Sequence, residues 1–258
     1  MTAFLSVAVG LLGLVVGSFL NVVIHRVPEK QSVVRPRSRC PRCQTTLKSW
    51  DNVPVVSWLL LHGRCRNCHG AISIRYPLVE LATAALFAAA ALRLGDDDPA
   101  ALPAFLVVFA ALLAISAVDL ERFIVPNRIL YPALFMAAPL LVVAAALDGD
   151  WSSLLGAVLG GALGWVLLFA IHMASPKGMG FGDVRLAGLI GMLLGWLSIG
   201  HVLLGLFLAF LTAAVVGVGL MLTGVHGRKD RVPFGPFLAL GAIAAVFVGG
   251  PILSWYGV

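Results

Sequence analysis

Eight apolar stretches divide the chain, at roughly 4–24, 77–94, 101–118, 129–147, 151–173, 184–199, 201–222 and 236–256. An α-helix needs ~17–25 apolar residues to cross the hydrocarbon of a bilayer, and most of these stretches have that length. The second, third and sixth are short for a span. The break near Gly200-His201 interrupts an otherwise continuous apolar run. A backbone in lipid must satisfy its own N–H and C=O groups, so tracts of this kind fold as helices. With 60% hydrophobic and 12% charged residues, the sequence predicts an all-α polytopic membrane protein of about eight transmembrane helices and excludes a soluble domain.

The net charge of +6 is unevenly placed. Ten of the eighteen Lys and Arg residues lie from Arg26 to Arg75, after the first stretch. Most of the rest are Arg122, Arg128, Lys177, Arg185, Arg228, Lys229 and Arg231, after the third, fifth and seventh. The opposite loops carry Asp96-Asp97-Asp98 and Asp148-Gly149-Asp150, with only Arg93 beside them. The positive-inside rule then puts the basic loops in the cytoplasm and both termini outside. The basic charge is assigned to topology and to an anionic lipid surface, and no nucleic-acid partner is expected. The opening MTAFLSVAVG has no basic segment and no small-residue cleavage site, so it reads as a retained span rather than a secretory signal.

Three domains follow: a first transmembrane helix at 1–24, a cytoplasmic domain at 25–76, and a seven-helix membrane core at 77–258. The cytoplasmic domain is too short to bury a large core unaided. It holds all four cysteines, as Cys40-Pro-Arg-Cys43 and Cys65-Arg-Asn-Cys68, with 21 residues between the pairs. Four thiolates on two tight knuckles suit tetrahedral zinc, whose binding energy would replace the missing core. The reducing cytoplasm disfavours disulfides. A small zinc-ribbon-like domain is the expectation; two unlinked thiol pairs and redox chemistry are the alternatives, and His69 is a further candidate ligand.

Two acids stand where a membrane should exclude them. Asp119, in SAVDLERFIVPN, closes the third stretch. It reads either as a functional carboxylate or as an interfacial acid paired with Arg122 at helical spacing. Asp183, in GMGFGDVRL, opens the sixth behind Gly178, Gly180 and Gly182. It reads either as a functional carboxylate or as a helix N-cap; the glycines permit positive φ and close backbone approach. By charge and span counting, both acids lie at the cytoplasmic surface. Two facing carboxylates share a proton: the ionised one takes a proton from water while the other polarises a peptide carbonyl. A helical substrate has to unwind first, because its own hydrogen bonds shield its carbonyls. The alternating glycines are not a dinucleotide fingerprint, since no strand precedes them. Gly156, Gly160 and Gly164, and Gly191 and Gly195, recur at four-residue spacing and read as close helix packing. No internal repeat is evident.

Several ordered segments resemble the type IV prepilin peptidase family, membrane aspartyl proteases of the GxGD class. They are Gly17-Ser-Phe-Leu-Asn21-Val-Val-Ile-His-Arg-Val-Pro28, the CxxC pairs around Trp50-Asp51-Asn52-Val53-Pro54, Ser73-Ile-Arg75-Tyr76-Pro77-Leu-Val-Glu80, Asp119 with Ile124-Val125-Pro126-Asn127, Gly180-Phe-Gly182-Asp183-Val-Arg-Leu, and Pro233-Phe-Gly235-Pro236. The resemblance implies that Asp119 and Asp183 are the catalytic pair, in an active-site loop with Gly180 and Gly182. It implies type IV prepilins or related pseudopilins as substrates, cut after a glycine at the cytoplasmic edge of their hydrophobic segment. It places the protein in a bacterial inner membrane. Members with the cysteine domain also methylate the new N-terminal residue from S-adenosylmethionine, whose binding residues this reading leaves unknown. Arg185 stands where many relatives have lysine, a change expected to matter little. Asn21 reads as a hydrogen bond to a neighbouring helix, Glu80 as a carboxylate at a helix N-terminus, Asp51-Asn52 as a turn, and His172 and His201 as interfacial.

Other classes account for less. A transporter with intramembrane acids predicts further mid-span carboxylates and an inverted repeat, which are not found. A zinc-ribbon membrane adaptor leaves Asp119 and Asp183 without purpose. A GxGD protease of another substrate class does not need the four-cysteine domain.

Overall fold

The structure is a computed structural model that describes residues 2–176, 178–223 and 232–255. Lys177, Arg228, Lys229 and Arg231, on which part of the charge asymmetry rests, lie outside the described residues, as does Tyr256 at the end of the last apolar stretch. The helices are α1 (Thr2–Arg26), the short α2 (Val56–Leu60), α3 (Arg75–Leu94), α4 (Leu102–Arg122), α5 (Asn127–Asp148), α6 (Trp151–Ala174), α7 (Phe181–Leu197), α8 (Ile199–Leu222) and α9 (Gly235–Trp255). No strand occurs among the described residues.

Seven of these helices are long and apolar enough to cross a membrane. The eighth long helix, α7, has 17 residues and a length of ~26 Å, short of the ~30 Å hydrocarbon layer. The expected eight spans are therefore seven full-length helices and one short one. The break between α7 and α8 falls at Ser198, whose backbone is extended (φ −176°, ψ 163°). Its Oγ accepts from the His201 N–H at 3.2 Å and lies 2.8 Å from His201 Nδ1, so one serine caps α8 and holds the imidazole. Between α5 and α6, Gly149 takes φ +71°, and Asp150 caps α6 by accepting from the Ser153 N–H at 3.1 Å.

The chain forms two compact units, Met1–Leu102 and Pro103–Val258. In the first, α1 and α3 lie backbone to backbone. A Cβ at Gly13 or Gly17 would stand 2.7 Å from the Cα of Ala84 or Glu80. As expected, Asn21 bonds across to a neighbouring helix: its Nδ2 donates to the Tyr76 carbonyl of α3 at 3.1 Å.

In the second unit the helices differ in how much surface they keep. Of the central window of α4, 67% is buried, against 22% for α6 and α8. Phe105, Phe109, Leu112 and Ile115 of α4 are fully buried. On α7, Val184, Leu186, Ala187, Leu189, Ile190, Leu193 and Leu194 are buried as well. The expected glycine packing joins α6 to α7: a Cβ at Gly160 would strike the Gly191 carbonyl, and one at Gly156 the Gly195 carbonyl. The wide faces of α6 and α8 are apolar and exposed, as lipid contact requires.

Candidate active site and metal centre

Asp119 and Asp183 are the two buried acids among the described residues of the second unit. They come from its two most enclosed helices, α4 and α7. Each interacts electrostatically with the other. Asp119 is 4% exposed and its Oδ2 accepts from the Gly235 N–H at 2.9 Å. At that exposure Asp119 is not open to water, as a snorkelling interfacial acid would be. Gly235 opens α9, where the first N–H groups have no intrahelical partner, so the bond satisfies both the helix end and the carboxylate. A Cβ at Gly235 would stand 2.8 Å from that oxygen. Glycine is thus dictated by space.

Asp183 lies in the first turn of α7 and is not its N-cap residue; that position is Gly180, which makes no side-chain cap bond. The Asp183 N–H donates to the Gly180 carbonyl at 3.1 Å, and its carboxylate interacts in return with the Gly180 N–H. This is half of a capping box. The loop glycines do not have positive φ, which among the described glycines occurs at Gly63 and Gly149. Of the two expected uses, close approach holds at Gly182, where a Cβ would stand 2.9 Å from Cβ of Val125.

Val125 belongs to the Ile124-Val125-Pro126-Asn127 segment that follows Asp119, so the two acid-bearing segments pack on each other. Arg185 fastens them. Its Nη1 donates to Asn127 Oδ1 and its Nε to the Phe181 carbonyl at 3.3 Å, with the guanidinium 4.9 Å above the Phe181 ring. His172 Nδ1 lies 2.8 Å from the Met179 carbonyl and its ring 5.6 Å from Phe181, so it supports the glycine loop from α6. The sequence reading gave no role to Gly235, Val125 or Asn127. The available signal was their place in short Gly/Pro-bearing segments beside apolar helices.

The four cysteine sulfurs of the first unit lie within 4.8 Å of one another, close enough to hold one metal ion, and four thiols suit zinc. His69 is not in the cluster. The two knuckles are one local structure used twice. Cys40 N–H bonds to Thr45 and Gln44 N–H to Cys40; Cys65 N–H bonds to Gly70 and His69 N–H to Cys65. Gln44 and His69 occupy the same positive-φ position, at 55° and 53°, and one isolated bridge closes each loop, Arg39 with Thr46 and Arg64 with Ala71. This repeat was not apparent from the sequence. Asn67 Nδ2 donates to Thr45 Oγ1 at 3.2 Å across the knuckles, and Arg66 pairs with Asp51 at 2.8 Å.

Local hydrogen bonds prepare thiolates. The Thr45 hydroxyl and backbone hold Cys43 down to about 6, and the backbone N–H groups of Cys68 and Asn67 lower Cys65. At Cys68 the Gly70 N–H acts the same way, but desolvation and the three neighbouring sulfurs outweigh it and push that thiol up to about 11. A bound cation would displace this proton.

A helical membrane protein with two buried carboxylates in one unit and a four-thiol centre in the other is the class these features define. The comparisons then specify it. The model of the type IV leader peptidase family matches residues 106–218, and that of the bacterial peptidase A24 N-terminal domain residues 11–94. A prepilin leader peptidase/N-methyltransferase of Burkholderia pseudomallei (strain 1026b) is 38% identical over 95% of this chain and 86% of its own length. Proteins described in the same words are similar too: that of Bacillus subtilis (strain 168), 39% identical over 95% and 94%, and that of Aeromonas salmonicida (strain A449), 36% identical over 95% and 91%. The chain belongs to the type IV leader peptidase family. No solved structure gives a significant match.

Proposed function

We propose that this protein is a prepilin leader peptidase in which Asp119 and Asp183 activate water, and that it also N-methylates the N-terminus it exposes. The observation that carries the reading is the burial of these two mutually interacting carboxylates, on helices that bury most of their other polar-free surface. Buried acids are costly unless used or paired, and each of these has only a backbone N–H to hold it, Gly235 for Asp119 and Gly180 for Asp183.

That bond orients Asp119. One carboxylate removes a proton from water; the other, protonated, hydrogen-bonds the scissile carbonyl oxygen. The water oxygen adds to the carbonyl carbon, a proton passes to the departing amine nitrogen, and the C–N bond breaks with no covalent enzyme intermediate. Gly180 and Gly182 keep side chains out of the loop that the unwound substrate backbone must approach.

The substrate class is a type IV prepilin or pseudopilin, cut after a glycine at the cytoplasmic face. The basic segment from Arg26 to Arg75 supports that orientation, with both termini outside and anionic lipid at the cytoplasmic surface. Methylation draws on S-adenosylmethionine as donor. The four cysteines hold zinc in a structural role, since four protein thiolates leave no open coordination position.

Intact mass of a prepilin incubated in membranes with wild type, Asp119→Asn or Asp183→Asn tests the pair. Leader loss with wild type and neither variant is the expected result. Near-normal turnover by either variant refutes the assignment. A cofactor-dependent gain of one methyl group tests the second activity.

A further inference from the structure

Residues 50–60, in the domain between α1 and α3, carry five exposed large apolar side chains: Trp50, Val53, Val56, Leu59 and Leu60, the last 74% exposed. Val56, Leu59 and Leu60 share one face of α2, at the i, i+3, i+4 spacing of a helical stripe. The other side of the segment is satisfied within the protein. Ser57 Oγ donates to the Trp50 carbonyl at 2.6 Å and accepts from the Val53 N–H at 3.1 Å. Trp58 Nε1 donates to the Ile72 carbonyl at 3.2 Å. Bonds on the inner side thus hold the apolar face outward, and a cluster of this kind marks a surface with a partner.

The height of the segment decides the partner. α3 has 20 residues and a length of ~30 Å, the full thickness of the hydrocarbon layer. Any tilt shortens its reach, so it has no turn to spare outside the membrane. Glu80 lies five residues into α3, and its Oε2 accepts from the Val55 N–H at 2.7 Å. The sequence reading of Glu80 as a helix-end charge misses this tether. Side chains on a helix lean toward its start, so the bond sets Val55 level with the first turn of α3. Val55 takes φ +61°, ψ −50° just before α2, a conformation that a β-branched residue keeps only where its surroundings impose it. That kink, fixed by Glu80, sets the direction of α2. The segment lies at the boundary of hydrocarbon and headgroups, where Arg75 and Tyr76 open α3.

Charge points the same way. Lys48 Nζ lies 5.2 Å from the Trp50 ring, and His62 and Arg64 line one cleft with Leu60. Asp51 is the one acid in the segment, and Arg66 pairs with it at 2.8 Å. An aromatic and aliphatic face with a basic rim suits a phospholipid surface. We propose that residues 50–60 are an interfacial anchor: their apolar face inserts at the top of the acyl chains, and Lys48 and Arg64 meet anionic headgroups. Which leaflet this is rests on the topology proposed above. The domain at 25–76, read from sequence as cytoplasmic, is then docked on the bilayer by its own middle segment as well as by the helices at its ends.

The test is photo-labelling of the full chain in phosphatidylcholine nanodiscs, using a phospholipid with a diazirine near the top of its acyl chain, with adducts mapped by mass spectrometry. We expect adducts within residues 50–60 at a yield close to that of the first turns of α3. The first knuckle, residues 39–46, is polar and largely exposed and should label little. Leu59→Ser with Leu60→Ser should cut the yield in the segment roughly fivefold, with bound zinc unchanged as the report on folding. Adding phosphatidylglycerol should raise the wild-type yield roughly twofold and have no effect on Lys48→Gln with Arg64→Gln. An unlabelled segment beside a labelled α3 overturns the anchor and leaves the face to a protein partner; equal labelling of the first knuckle overturns it too. A yield indifferent to phosphatidylglycerol overturns the part given to the basic rim. Proteolysis of residues 25–76 in right-side-out rather than inverted vesicles overturns the topology and leaves the anchor standing on the other leaflet.

Discussion

Gly235→Ala adds one methyl group beside Asp119, one of the two proposed catalytic acids. The new Cβ would stand 2.8 Å from Asp119 Oδ2 and 3.3 Å from its Cγ. Relieving that contact displaces the carboxylate from the position in which it accepts the 2.9 Å bond from the Gly235 N–H. The glycine φ is not in the positive region, so backbone strain does not contribute and the effect is purely local. A hydrogen bond to a charged group is worth ~1.5–3 kcal/mol, and each 1.36 kcal/mol is tenfold in rate. We expect kcat/KM for leader cleavage to fall ~10- to 150-fold. The assay is initial-rate cleavage of a prepilin in proteoliposomes, with thermal melting measured in parallel. Gly217→Ala and Gly219→Ala on α8 are the controls, because a Cβ at either meets nothing within 4 Å. Both should keep full activity. Wild-type kcat/KM in a well-folded Gly235→Ala protein would refute the claim that this N–H orients Asp119.

Further outcomes follow from other contacts. Asn127→Ala removes the acceptor that joins Arg185 to the start of α5; we expect slower cleavage with normal insertion, measured by initial rates in proteoliposomes. Cys40→Ser should lose bound metal, read by elemental analysis, and increase proteolysis within residues 25–76; a wild type free of zinc would refute the metal assignment. Asp150→Ala should destabilise the α6 end by ~0.5–2 kcal/mol. Ser152 and Ser153 hold Asp150 down to about 2. A depressed carboxylate stabilises above its unfolded value of ~3.9 and loses that contribution as pH falls towards 2, so the melting difference between wild type and Asp150→Ala should be flat from pH 5 to 8 and shrink only in acid.

Hydropathy made the helices legible because each has to cover about the same thickness of lipid. The shortness of the sixth stretch, now α7, was visible too, whereas the break was placed near Gly200-His201 and falls at Ser198, whose capping role was not read. Asp119, Asp183 and the four cysteines stood out because charge or thiols in such positions need a reason. Their partners did not stand out. Gly235 lies 116 residues from Asp119, and a glycine chosen for what it leaves empty has no side-chain signature. Glu80 was read from its own helix, whereas its partner Val55 is 25 residues earlier. The loop glycines were expected to serve positive φ or close approach, and only the second holds: Gly182 packs on Val125. Local patterns report local conformation, and long-range steric demands on small residues are silent until the chain is folded.

The seam between α6 and α7 carries an evolutionary consequence. Gly156, Gly160 and Gly164 meet Gly195, Gly191 and Ala187 through backbone atoms, with no side chain between them. A packed core of leucines can drift, because a loss on one side is matched by a gain on the other. Here no partner can shrink to compensate for an added carbon. Homologues should therefore vary freely over the exposed face of α6 while these positions stay small. Single-residue insertions should be purged from both helices, since a slip of register would set larger residues opposite the carbonyls. The lineage can remodel its loops and its lipid surface, but the helix that carries Asp183 inherits a fixed place.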